Sequence, residues 1–236
     1  MLSAFEMAEV DSARRAVIVR AIAAVGGLTR LPAVAAPVVG GALPSPDSAG
    51  GMSLAQALAR RRSVRRYGTQ PLALAAVSQL LWAAQGTTAA AGRRTAPSAG
   101  ALYPLEVHLL AQRVEGLAAG ARRFLPATHA QQLSNTEVTA RVLQQAALGQ
   151  QAIGAAAAVV VITAVEERSS GKYGARAGRY VAFEAGAAAQ NLALQAVALG
   201  LGAVVIGGFD DAAVARALDL PPGELPVVLM PIGVPA

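Results

Sequence analysis

The sequence predicts an α+β fold: a mixed β-sheet flanked by helices, with one long buried helix at its centre. Three observations predict it. Helix and strand patterns alternate in the order ααββαβαβαβ. Residues 157–165 form a continuous, largely apolar run rich in β-branched residues, the signature of a strand buried on both faces. Residues 178–199 are almost entirely apolar at helical length and close on Gly200, which marks a helix in the interior.

The elements follow in order. Ser53 is placed to cap a short helix whose apolar side is Leu54 and Leu58, and that helix delivers the run Arg60, Arg61, Arg62, Arg65 and Arg66. Pro71 suits a first helical position, Leu72, Leu80 and Leu81 share a face, and Gly86 terminates this second helix. Residues 86–104 are dominated by Gly, Ala, Pro and Ser, so they read as a loop. Leu105, Val107 and Leu109 alternate with Glu106 and His108 as in a strand, and residues 122–125 offer a hairpin partner that stops at Pro126. Ser134 with Glu137 reads as a capping box for a helix reaching about Leu148. After the long helix come a strand at 203–206 broken by Gly207-Gly208, a helix capped by Asp210 and ending near Leu218, and a last strand at 225–232. Prolines in that last strand favour a sheet edge. No internal repeat is present.

Composition removes several function classes. Apolar residues make up 54% and charged residues 14%, so the chain has ample material for a core. The absence of cysteine excludes disulfides, thiol chemistry and thiolate metal sites. Two histidines, His108 and His129, cannot supply a multi-histidine metal centre within one chain, and no metal site is expected. His129, in a turn beside Pro126, is read as structural. The net charge of +6 is carried by arginine, Lys172 being the one lysine. The arginines concentrate at 60–66 with only Tyr67 beside them, which suits a compact anion and not a nucleic acid.

Residues 1–51 are read as a signal-like or disordered segment and 52–236 as the folded unit. Arg14-Arg15, the run AVIVRAIAAVGGL and Ala33-Val34-Ala35 fit twin-arginine export to the periplasm. Arg20 within the apolar run and Glu6, Glu9 and Asp11 before the arginine pair favour the alternative, a cytoplasmic protein with an amphipathic helix and a linker. No apolar stretch reaches the ~18 residues that span a bilayer.

Four stretches can carry chemistry. RRSVRRY (61–67) offers guanidiniums and a hydroxyl to a phosphate monoester; the alternative is a solvated helix end. RTAPSAGALYP (94–104) is a small-residue loop that a planar ligand can approach. GLGAVVIGGF (200–209) can present backbone amides at Gly207-Gly208, though it is no dinucleotide fingerprint because its G-x-G precedes the strand. SGKYGARAGRY (170–180) sets Lys172 beside Tyr173, both able to move protons, or is simply a surface loop.

Taken together, RRSVRRY, PSAGALYPLEV, RRFLPATHAQQL, KYGARAGRYVAFEAGAAAQNLALQAVALGLG, VVIGGFDD and VVLMPIGVP resemble the nitroreductase-like flavoproteins, and within them the SagB-type dehydrogenases that include thiazoline and oxazoline oxidases. The resemblance covers residues 53–236. It implies a nitroreductase-like fold, FMN bound at the interface of a homodimer, and a small-molecule or modified-peptide substrate. Carried over, Arg61, Arg62, Ser63 and Arg65 would hold the FMN phosphate and ribityl chain. Pro97, Ser98 and Ala99 would lie against the isoalloxazine, and Gly207 and Gly208 near its central-ring nitrogen. Arg176 and Arg179 would contact phosphate or substrate. Lys172-Tyr173 looks like the base pair of the azoline oxidases, and partial burial beside arginines would favour the neutral lysine that a base requires. Two alternatives stand beside this: an NAD(P)H-dependent nitro- or quinone reductase, and a flavin-binding scaffold without turnover inside a biosynthetic complex.

Overall fold

A six-stranded sheet in the order β3-β2-β1-β4-β6-β5 organises the chain, in a computed structural model that describes residues 40–135 and 137–236. The strands are β1 Leu105–Ala111, β2 Gly120–Leu125, β3 Ala130–Asn135, β4 Ala158–Val165, β5 Gly202–Ala203 and β6 Glu224–Gly233. All five strand pairings are antiparallel, and the parallel element at the β5 edge is the single bridge Ser63–Ala203. The helices are α1 Leu54–Arg60, α2 Leu74–Gln85, α3 Ala140–Ala146, α4 Gln151–Ala155, α5 Glu167–Tyr173, α6 Ala177–Ala198 and α7 Asp211–Leu218.

Side chains alternate across a strand, so β4 feeds two cores. Val160 and Ile162 join Leu80 and Leu81 of α2 and Ala188 and Leu192 of α6 on one face. Val159 and Val161 join Leu143 of α3, Ile153 of α4 and Val214 and Leu218 of α7 on the other. The result is three layers with β4 at the centre, as its near-continuous apolar run requires.

Four expectations change. α6 matches the expected long helix but is buried along a stripe, not all round: Val181, Ala185, Ala188, Leu192 and Ala196 face inward while Phe183 is 65% exposed. The last strand lies one place in from the edge, flanked by the two-residue β5. A bulge at Val227 accommodates Pro226, the residue that had suggested an edge. Ser134 belongs to β3 and caps no helix. Thr139 caps α3, accepting from the Val142 amide (3.3 Å), and the Asn135 side chain accepts from the Glu137 and Val138 amides instead. Pro71 precedes α2 by a short extended stretch in which Leu72 pairs with Val114, so Ala73 is the N-cap.

The signal-like features over residues 1–39, Arg14-Arg15 included, lie outside the described residues. Within the rest of the segment expected to stand apart from the fold, Leu43 is buried and its amide donates to His129 (3.1 Å). The Asp47 backbone is held by the Gln79 side chain at 2.8 and 2.9 Å. Residues 41–47 therefore pack on β3 and α2. His129 holds this seam through Ser78 Oγ (2.7 Å) and the Pro44 carbonyl (2.9 Å), a structural role. Among the described residues, no helix is long and apolar enough to cross a membrane.

Candidate active site

Two groups of expected residues assemble. The first runs along the β5 edge. Ser53 and Gln56 form a reciprocal capping box at the start of α1, and beyond α1 the chain extends beside the sheet. The Val64 amide donates to Ala203 (3.0 Å) and the Gly68 amide to Val234 (2.9 Å). The Tyr67 hydroxyl donates to the carbonyls of Val64 and Pro231 (2.6 and 2.9 Å). Burial pushes the Tyr67 phenol far above its usual range, with Arg65 opposing weakly, so Tyr67 is a neutral anchor. Gly233 makes this packing possible, because a Cβ there would lie 2.8 Å from Tyr67 Cβ.

Anchored this way, RRSVRRY presents Ser63 and Arg65 to solvent, with Arg61 half-buried. Arg62 behaves differently: its guanidinium turns back to the carbonyls of Ala59 and Arg61 (3.0 and 2.7 Å) and closes the end of α1. Downstream of Ala203, Gly207 and Gly208 are exposed with open space around them, and Gln150 steadies the Gly208 carbonyl at 2.7 Å. Exposed cationic side chains and an open backbone thus share one edge.

The second group centres on residues 97–104. Gly100, Ala101 and Tyr103 all have positive φ (63°, 55° and 47°), two of them with side chains that disfavour it. Such strain persists only where the surroundings hold it, and they do. The Ala99 amide donates to Glu184 Oε1 (2.8 Å), the Tyr103 amide donates to Ser98 Oγ (2.9 Å), and Arg94 stacks over the Tyr103 ring at 4.8 Å. Glu184, buried on α6, is satisfied by that loop amide.

Onto this loop α5 brings Lys172 and Tyr173. A Cβ on Gly100 would stand 2.8 Å from Lys172 Nζ and 2.8 Å from Tyr173 Oη, so glycine is what lets both polar atoms reach the same point. Tyr173 meets Tyr180 of α6 edge to face at 4.8 Å between ring centres. Lys172 is exposed, so the partial burial expected of it is not supplied by this chain. Arg176 and Arg179 are exposed at the start of α6, next in the chain to this group and not to the arginine-rich edge.

The loop of Pro97, Ser98 and Ala99 therefore meets Lys172 and Tyr173 at Gly100, while Ser63 in the arginine run pairs with Ala203, upstream of Gly207 and Gly208. Among the described residues, no hydrogen bond joins the two groups. Sequence reasoning passed over Glu184 and Arg168 and gave Glu106 and Arg94 no role in the site. Glu184 left a signal, as the one acidic residue of a long helix dominated by apolar side chains. The others become visible only through the fold.

Comparison with known proteins agrees with this architecture. The Nitroreductase family profile matches residues 58–234. A protein of Methanocaldococcus jannaschii named as a nitroreductase is 41% identical over 182 residues, spanning 77% of this chain and 91% of that one. A crystal structure from Ralstonia eutropha, likewise titled a nitroreductase, superposes with a TM-score of 0.73 at 31% identity, over 85% of this chain and 95% of its own. The E. coli microcin synthetase McbBCD complex with truncated pro-MccB17 bound contains a chain with the same fold, at a TM-score of 0.64 and 24% identity, over 99% of this chain and 97% of that one. By profile, identity and coverage, this chain belongs to the nitroreductase family of oxidoreductases.

Proposed function

We propose that the protein is an FMN-dependent dehydrogenase of the SagB type, acting as a homodimer on azoline rings in a modified peptide or on a related substrate. The observation that carries the reading is the convergence of Lys172 Nζ and Tyr173 Oη on Gly100 within a strained loop. A reductase that takes hydride from a nicotinamide needs no such pair.

The residues present fit a flavin mononucleotide. Guanidiniums bind a phosphate monoester in bidentate fashion, and Arg61, Ser63 and Arg65 stand ready for it at an edge whose open glycines leave room for a flat ring system. Pro97, Ser98 and Ala99 would face the ring from the second copy. An exposed apolar side of α6 around Phe183, together with exposed Leu54 and Leu58 on α1, gives that copy a surface to cover.

When bound, the flavin supplies a two-electron acceptor. The protein supplies the rest. Lys172 would take the carbon-bound proton of the azoline at Nζ, and the ring would give up its hydride to that acceptor so that the azole is formed. Tyr173, braced by Tyr180, aligns the reacting ring with the lysine. Glu184 and Ser98 keep the loop in its strained shape, and closure by the second copy excludes water from Lys172.

Replacing Lys172 by Ala should lower the turnover of a synthetic thiazoline peptide by about 10²-fold or more while FMN stays bound, as expected for loss of a proton acceptor. Unchanged turnover would refute the assignment. The second reading, an NAD(P)H-dependent nitro- or quinone reductase, is favoured by the nitroreductase names of the M. jannaschii and R. eutropha proteins. Rapid anaerobic bleaching of the flavin by NADPH, insensitive to K172A, would select it.

A further inference from the structure

We propose that Arg168 and Glu106 are positioning residues that lock α5 onto the strained loop and so hold Lys172 over Gly100. The inference rests on the role proposed above for Lys172. Arg168 is one helical turn before Lys172 on α5, so the two side chains lie on one face of that helix. Arg168 Nη1 donates to the carbonyl of Tyr103 (3.0 Å), the last left-handed residue of the loop, and Nη2 donates to Glu106 Oε1 (2.6 Å). Glu106 follows the loop on β1, is nearly buried, and is gripped from the other side by Arg123 of β2 (2.8 Å). The same helical face thus touches the loop twice: Arg168 at its end, Lys172 at its apex.

The arrangement is more specific than a surface ion pair. A pair of exposed charges contributes little, because water competes and long side chains lose freedom. Here one planar guanidinium satisfies a backbone carbonyl and a carboxylate that a second arginine already orients. A fork of fixed geometry restricts rotation of α5 in a way that a lysine ammonium cannot. The carbonyl it holds belongs to a non-glycine residue at φ 47°, whose conformation must be enforced from outside. Without the clamp, α5 is free to shift along the loop, and a displacement near 1 Å at a reacting group costs up to about 10² in rate.

The test uses the full chain loaded with FMN, a synthetic thiazoline peptide, and the variants Arg168→Ala, Arg168→Lys, Glu106→Gln and Lys172→Ala. Arg168→Ala is expected to lower kcat about tenfold or more with KM within about twofold and FMN affinity unchanged. Arg168→Lys, which keeps the charge but not the fork, should recover only part of the loss, and Glu106→Gln should fall between. In the K172A background, R168A should add nothing, since both act through the Lys172 side chain. Hydrogen exchange at the Ala101, Leu102 and Tyr103 amides should accelerate about tenfold in R168A, a readout independent of turnover. A variant that melts earlier yet keeps wild-type kcat and exchange would overturn the inference, as would effects of R168A and K172A that multiply. Failure of the parent reading looks different: K172A keeps full turnover while loop exchange still responds to Arg168.

Discussion

β4 and α6 are both rich in apolar residues, and they meet opposite fates. β4 is closed on both faces, with Val159, Val160, Val161 and Ile162 fully buried. α6 is closed on one stripe only, and its outer side keeps Phe183 exposed beside Ala182 and Gly186. The difference teaches that an apolar run reports how much surface must be covered, not what covers it. In β4 the cover is this chain's own helices. In α6 the remaining cover is, in the function proposed above, a second copy, and that copy would bring the loop at residues 97–103 to the arginine-rich edge.

The largest effect separates the two elements directly. Ile162→Asp should leave the chain unfolded, because an unpaired carboxylate between layers costs roughly 5 kcal/mol or more, as much as a typical domain's whole stability. Phe183→Asp should keep the circular dichroism and melting transition of the fold while abolishing self-association and FMN retention. Loss of the fold in both variants would place the outer side of α6 in the monomer core and dissolve the contrast.

A smaller effect tests the loop that α6 supports through Glu184. Gly100→Ala adds a Cβ at positive φ, which costs about 1–2 kcal/mol, and drives it against Lys172 and Tyr173. Thiazoline oxidation should fall about 10–100-fold with the melting temperature only slightly lowered. Equal losses of stability and activity would mean that the close approach at Gly100 matters to folding alone.

The smallest effect concerns the polar end of β4. Glu224 is buried, and burial pushes its carboxyl up. Hydrogen bonds from His108 (2.5 Å) and Thr163 of β4 (2.5 Å), with the charges of His108 and Arg123, outweigh burial and hold it below the usual carboxylate range. A carboxyl depressed in the folded state stabilises above its unfolded pKa and loses that contribution as pH falls through the folded value. Thr163→Val should therefore cost about 1 kcal/mol near neutrality, shift acid unfolding to higher pH, and converge with the parent protein at low pH. An acid-unfolding midpoint that does not move would remove Glu224 from the pH response.

How much of this was legible in the sequence follows from the same physics. β4, α6 and the Gly-Ala loop were legible because length, apolarity and terminators point one way. β3 was not: Gln131, Gln132, Ser134 and Asn135 carry no strand pattern, and they pair because β2 beside them has an open edge. The meeting of Lys172 and Tyr173 with residues 97–104 was not legible, since it depends on α5 folding back over Gly100. Arg62 looked like its neighbours in the run, and only the end of α1 distinguishes it. Arg168 and Glu106 left no local signal, because a clamp between a helix and a strand start is a property of the packing.

Sedimentation velocity of the FMN-loaded protein, followed both in the protein band and in the visible flavin band, tests the central claim most directly. A single boundary at the mass of two chains, carrying one flavin per chain and lost together with its colour in Phe183→Asp, is the predicted result. A flavin-bearing boundary at the mass of one chain, or a dimer that takes up no flavin, would contradict it.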